Sequence, residues 1–192
     1  MDLRAYDQGI LYFFEGLHKP WLDPVAQAIT TLGNPWPMTG VVVTMACLFA
    51  WLRQYRFALV IVCVGCAAGG LQLGVKYLVN RPRPRVTWAL IDVPNQPSFP
   101  SGHATGTMAI YFGGALLGAR LVASPRIADA LRISGVVLAL LVGLSRPYLG
   151  VHYPMDVFVG WIGGLLCALV GNACAGPPQP LDAPVGETTR GL

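Results

Sequence analysis

The sequence predicts an all-α fold: a polytopic membrane helix bundle of about five transmembrane helices, preceded by N-terminal amphipathic interfacial helices. Three observations predict it. Hydrophobic residue types make up 54% of the 192 residues and charged types only 11%, where soluble domains carry about 25% charged residues. Five stretches, roughly 36–53, 57–79, 101–121, 127–147 and 153–175, approach the ~20 apolar residues that a spanning helix needs. The charges fall between those stretches, at Arg53 and Arg56, Arg81 to Arg85, Arg120 and Arg126, and Arg146. A chain of this length has room for one such bundle and no second sizeable domain.

Residues 1–35 form the first region. "ILYFFEGLHKPWLDPVAQAITTLGNP" is apolar but broken by Glu15, His18, Lys19, Pro20, Asp23 and Pro24. It reads as two short amphipathic helices in the interface, anchored by Trp21, with a first spanning helix as the alternative. Residues 1–18 carry Asp2, Arg4, Asp7 and Glu15 and lack the basic start and small-residue cleavage site of a secretory leader. Residues 36–175 form the transmembrane domain. Within it Gly65 and Gly69, Gly70 and Gly74, Gly102 and Gly106, and Gly160 and Gly164 are each four apart, a spacing that lets helices approach closely. Residues 176–192, "GPPQPLDAPVGETTRGL", are polar and rich in Pro and Gly and read as a flexible tail.

Composition also excludes some functions. A net charge of +4 with no basic face argues against a nucleic-acid partner. The five cysteines, Cys47, Cys63, Cys66, Cys167 and Cys174, all lie in apolar stretches and read as small buried residues. Cys63 and Cys66 form a C-x-x-C, but no second ligand pair completes a metal site.

Counting crossings then brings the polar residues together. The helix ending near Lys76, the loop 80–100, the helix starting at Ser101, the helix ending at Arg146 and the helix starting after His152 all meet at one membrane face. Lys76, Arg81, Arg83, His103, Arg146, His152 and Asp156 therefore share that face. In "PSGH", Ser101 stands where an N-cap belongs and Gly102 lets a ligand approach the backbone donors of a helix start, which favours anions. In "VHYPMD", Pro154 suits a first helical turn, so the helix begins near Tyr153. His152 and Asp156 are then four apart, where the carboxylate can fix the imidazole tautomer and favour its positive form. "KYLVNRPRPR" ends a helix with a cation and continues as an extended strap, because each Pro disfavours the helical region for the residue before it. Taken singly, these read as a plain cap, a structural His–Asp pair and a row of charge at a membrane edge. Taken together they are a cluster of ionisable groups at membrane depth, which is costly and marks function. Several cations beside a helix N-terminus want a polyanion, and two histidines suit a nucleophile and a proton donor.

These residues resemble the type 2 phosphatidic acid phosphatase superfamily in its integral-membrane branch. Lys76, six residues, then Arg83-Pro84 fits its first motif; "PSGH" at 100–103 fits the second; Ser145-Arg146, five residues, His152, three residues, Asp156 fits the third. The resemblance implies a phosphatase that works through a phosphohistidine without metal or other cofactor. His152 is then the nucleophile, Asp156 orients and charges it, and His103 protonates the leaving oxygen. Lys76, Arg83, Arg146, Ser101 and Gly102 hold the phosphoryl oxygens, with Arg81 and Ser145 as secondary candidates. Relative to larger relatives, the short N-terminus removes one span, and the 86–98 loop is too short for a large soluble lid.

The substrate expected is a membrane lipid phosphate or diphosphate, with Trp88 and Tyr148 at headgroup depth. Undecaprenyl diphosphate ranks first, then phosphatidylglycerol phosphate, phosphatidic acid or lipid A phosphate. Arg53, Arg56, Arg120, Arg126 and Arg132 lie opposite the cluster. The positive-inside rule then puts the cluster outside the cytoplasm, in the periplasm if the membrane is a bacterial inner one. The rival readings are a proton-coupled transporter using the same groups and a protein that only binds lipid headgroups. A haloperoxidase of the same superfamily is disfavoured because such enzymes are soluble.

Overall fold

The computed structural model describes residues 3–92 and 94–179. Its described residues form eight α-helices and one π-helical turn. Two short helices come first, α1 (Leu3–Glu15) and α2 (Leu22–Thr31). They are followed by α3 (Pro35–Trp51) and α4 (Tyr55–Val79). A long strap leads to α5 (Gly102–Thr107), the π turn (Met108–Phe112) and α6 (Gly113–Ala119). The chain returns through α7 (Pro125–Tyr148) and ends with α8 (Pro154–Cys174). The expected spans at 57–79, 127–147 and 153–175 match α4, α7 and α8, the three helices long and apolar enough to cross a membrane. α3 is apolar but has only 17 residues, about 26 Å of helix. The expected span at 101–121 is one continuous path divided by the π turn between α5 and α6. Residues 180–192, most of the expected tail, lie outside the described residues.

α8 is the hub of the bundle, packing on α4, α5, the π turn, α6 and α7. Its glycines make this possible. A Cβ at Gly160 would lie 2.9 Å from the Ser101 carbonyl oxygen, and one at Gly164 would strike the Thr105 carbonyl oxygen. α5 and α8 thus approach backbone to backbone, which draws Ser101 to the start of α8. Gly70 and Gly74 behave otherwise: a Cβ there meets nothing within 4 Å, so that pair brings no helices together. The cysteines also differ from expectation. Cys47, Cys63, Cys66 and Cys174 are exposed on the outside of the bundle, and only Cys167 is half-buried. Lipid is as apolar as a protein core, so a small apolar residue in a spanning helix has no preference for the inside.

The two ends of the bundle differ. At one end Arg120 donates to the Asn172 and Gly176 carbonyls, and Gln54 exchanges hydrogen bonds with the Gln179 backbone. At the other end α1 and α2 fold over α7 and α8. Leu22 and Phe14 pack on Ala26, Tyr148, Leu149 and Val151. His18 bonds the Tyr148 carbonyl at 2.9 Å, and Gln27 donates to the Leu90 carbonyl. Tyr148 is buried with its hydroxyl donating to Asp23, so it stands beneath α2 rather than at a lipid interface. The indole nitrogen of Trp88 is likewise buried, with no hydrogen-bond partner among the described residues.

Candidate active site

Each sequence-derived candidate lies where an element ends at this covered face. Lys76 sits in the last turn of α4, which stops at Asn80 in the left-handed conformation, φ 45°. Ser101 is the N-cap of α5, its hydroxyl accepting from the Ala104 amide at 3.5 Å. Its own amide donates to the Asp156 carbonyl at 2.9 Å, tying the start of α5 to the start of α8. Tyr153 is the N-cap of α8 with Pro154 next, as expected. Arg146 ends α7, and the turn 149–153 delivers His152.

His152 is almost completely buried. Its Nδ1 faces Asp156 Oδ2 at 3.4 Å, and its Nε2 lies 3.0 Å from Arg83 Nη1. The carboxylate requires a proton on Nδ1, and the Arg83 donor requires a lone pair on Nε2. The nitrogen pointing at the cations is therefore the unprotonated one. Burial first, then the fields of Arg83, Arg146 and Lys76, hold the imidazole pKa well below the ordinary 6.5. Asp156 taken alone favours the positive form, as expected, but burial and the cations set the balance the other way. The carboxylate is present, but one of its oxygens is taken by Arg81, and three cations outweigh it.

The cations divide into two sets. Arg83 donates to the carbonyls of Gln96 and Val151, which fixes its fork beside His152. Arg146 is buried; one nitrogen donates to the Thr30 hydroxyl at 2.6 Å, while its Nε has no partner among the described residues. Lys76 is buried with no carboxylate in ion-pair range among the described residues. A buried, unpaired donor is costly, so this arrangement is built for an anion. Arg81 belongs to the other set. It bridges Asp156 and Asp7, both at 2.7 Å, and stacks on the Tyr153 ring at 4.1 Å. Burial opposes its charge, but the bonds to Asp7 and Asp156 prevail and raise its pKa. Arg81 thus braces the carboxylate instead of standing among the free phosphate donors. Ser145 turns its hydroxyl back onto the Val142 carbonyl of its own helix. With Arg81 held between two carboxylates, the trio is one negative; Lys76, Arg83 and Arg146 add three positives, leaving two positives around a neutral imidazole.

His103 stands across the cluster on the first turn of α5 and lies 3.0 Å from Asn34 Oδ1. Gly33 presses on the same ring, since a Cβ there would lie 2.5 Å from His103 Cδ2. Gly102 is in contact with Gln72, whose Oε1 is buried without a partner among the described residues. Most of the residues that sequence reasoning missed come from the N-terminal region: Asp7, Thr30, Gly33 and Asn34; Gln72 on α4 and Ser98 on the strap are the others. No local motif marks them; the only signal is that the N-terminal region is too polar to span. No three His, Cys, Asp or Glu side chains among the described residues cluster as a metal site.

Residues 57–177 match the PAP2 superfamily. A phosphatidylglycerophosphatase B of Bacillus subtilis is 32% identical over 166 residues, 85% of this chain and 80% of that protein. An undecaprenyl-diphosphatase of Sulfolobus acidocaldarius is 38% identical over 93 residues, 46% of this chain. The match covers only 41% of that relative's length. The crystal structure of a transmembrane PAP2-type phosphatidylglycerolphosphate phosphatase from Bacillus subtilis superposes with a TM-score of 0.83 at 27% identity, covering 89% of this chain and 85% of that one. With its membrane-length helices, its site at their converging ends and a match over most of its length, the chain belongs to the PAP2 superfamily.

Proposed function

We propose that the protein is an integral-membrane phosphatase that hydrolyses a phosphomonoester or diphosphate on a lipid, through a phosphohistidine at His152. The observation that carries this reading is the surplus of two positive charges, including buried unpaired donors, around an imidazole whose Nε2 lone pair faces them. A phosphate monoester near neutral pH carries about −1.5 to −2, which complements that surplus. Lys76, Arg83 and Arg146, with the α5 amides behind Ser101 and Gly102, hold the phosphoryl oxygens as charge builds. Arg83 turns from His152 Nε2 to the phosphate, and Nε2 forms the P–N bond while the bond from phosphorus to the lipid oxygen breaks. His103 gives its proton to that leaving oxygen. Water then attacks phosphorus, His103 takes the water's proton, and the P–N bond breaks to release phosphate.

A groove of about 470 Å³ between α3, α4 and α5 supports a lipid substrate. It is lined by Met38, Val42, Gly65 and Ile110 and ends at Gln72 and Gly102, next to the phosphate donors. Phosphatidylglycerol phosphate ranks ahead of undecaprenyl diphosphate, the first choice from sequence, because the Bacillus relative named for that lipid matches nearly end to end. The excess of Arg53, Arg56, Arg120, Arg126 and Arg132 at the opposite end supports a site outside the cytoplasm. Purified protein in detergent, given phosphatidylglycerol phosphate, undecaprenyl diphosphate, phosphatidic acid and lipid A phosphate, releases phosphate from one or more of them. Binding without release would instead support the headgroup-binding alternative, and neither binding nor release would favour the transporter.

A further inference from the structure

Asp7 and Arg81 take no part in the family motifs, yet they form a continuous chain of contacts to the nucleophile. Asp7 Oδ2 accepts from Arg81 Nη2 at 2.7 Å, and Arg81 Nη1 donates to Asp156 Oδ1 at 2.7 Å. Asp156 Oδ2 accepts from the Tyr153 amide at 3.0 Å and faces His152 Nδ1. The other Asp7 oxygen accepts from the Met155 amide at 3.0 Å, in the first turn of α8. One carboxylate on α1 thus fixes both the guanidinium that braces Asp156 and the helix start that carries it. All three side chains of the chain are largely sequestered: Asp7 and Asp156 are buried, and Arg81 has only 21% of its side chain accessible.

We infer that Asp7 and Arg81 are positioning residues for the phosphorus-attacking histidine, so that docking of the N-terminal helix α1 completes the active site. This rests on the reading of His152 as the nucleophile. The physical reason is twofold. Asp156 must accept from Nδ1 and stay anionic, and Arg81 occupies its other oxygen so that the carboxylate cannot rotate away. Arg81 alone would add a further cation beside a nucleophile that must become positive; Asp7 cancels that charge. The groups facing His152 from the other elements are Lys76 on α4, Arg83 on the strap, His103 on α5, Arg146 on α7 and Asp156 on α8. Of these only Asp156 touches Arg81; Lys76, Arg83, His103 and Arg146 make no ion pair or side-chain bond to Asp7 or Arg81 among the described residues.

The test is the pH–rate profile of lipid-phosphate hydrolysis by full-length protein carrying Asp7→Asn, Arg81→Gln, both, or Arg81→Lys. Asp7→Asn keeps the shape and an acceptor for Met155 but leaves Arg81 uncompensated, so the acid limb moves to lower pH. Arg81→Gln removes the cation, so the limb moves to higher pH. Each single variant lowers kcat about tenfold with KM nearly unchanged. The double variant returns the limb toward its wild-type position, and Arg81→Lys recovers part of the lost kcat. A purely structural role predicts no opposed shifts. Limbs that superpose on wild type, or that move the same way in both single variants, overturn the inference. Failure of the wild-type protein to release phosphate would instead overturn the functional reading beneath it.

Discussion

Gly33→Ala tests whether His103 must be held where it is. Gly33 lies in the turn between α2 and α3, outside every motif. An added Cβ would sit 2.5 Å from His103 Cδ2 and 2.9 Å from Cγ, with Val142 Cγ1 also at 2.7 Å. Carbon atoms rest at about 3.5–4.0 Å, so something must move by about 1 Å. Val142 is fully buried and has little room to yield, so the imidazole moves, disturbing its 3.0 Å contact with Asn34. A misplacement of that size can cost up to about 100-fold in rate. We expect kcat to fall about 10- to 100-fold, roughly 1.4–2.7 kcal/mol. KM should change less than kcat, because the atoms nearest the added methyl belong to His103 and Val142 rather than to Lys76, Arg83 or Arg146. Steady-state phosphate release in detergent reads both constants. Gly40→Ala, where a Cβ meets nothing within 4 Å, is the control and should resemble wild type. In a His103→Ala background, Gly33→Ala should cost nothing more. A Gly33→Ala enzyme with wild-type kcat, or an equal loss in both backgrounds, refutes the reasoning.

Other outcomes follow from the same geometry. His152→Ala should lower kcat by about 10⁴-fold or more, and Arg146→Ala should lose most turnover; Asp156→Asn should retain more activity than either, and the reverse order in a phosphate-release assay would reassign the nucleophile. Attack needs neutral His152, whose pKa burial and three cations hold below 6.5. Arg83→Gln removes one of those cations, so the pKa rises and the acid limb of kcat/KM moves to higher pH; an unmoved limb would show that another group sets it. Orthovanadate should inhibit by occupying the cationic cluster in a five-coordinate form. EDTA should leave activity unchanged, because a site with two surplus positive charges repels a divalent cation; loss on EDTA treatment restored by magnesium would contradict this.

The part of the site legible in the sequence is the part encoded by helix ends. Lys76, Ser101, Arg146 and Tyr153 each mark a boundary through cap chemistry or proline placement, and crossing the membrane an odd or even number of times assigns each to a face. His152 and Asp156 sit one helical turn apart, so their pairing was also local. What escaped was non-local. Asp7 meets Arg81 across 74 positions, Asn34 meets His103 across 69, and Thr30 meets Arg146 across 116. No period or motif encodes such partners, and the interruptions that argued against a span in the first 35 residues, such as His18 and Asp23, fasten this region to Tyr148 rather than to the site itself. The low pKa of His152 was not legible either. Spacing revealed the carboxylate but not the burial, nor the fields of Arg83, Arg146 and Lys76 that converge from other elements. The faces of Gly70, Gly74 and the cysteines were illegible on different grounds, since lipid and core reward the same apolar composition.

The central claim is that Nε2 of His152 becomes covalently bonded to phosphorus. Rapid acid-free quenching of enzyme turning over a lipid labelled in its terminal phosphate, followed by peptide mapping, tests it most directly. The account predicts label on the peptide containing His152, stable to base and lost in acid, absent in His152→Ala and still formed, more slowly, in Asp156→Asn. Label on another residue, or hydrolysis at wild-type rate by His152→Ala, would contradict it.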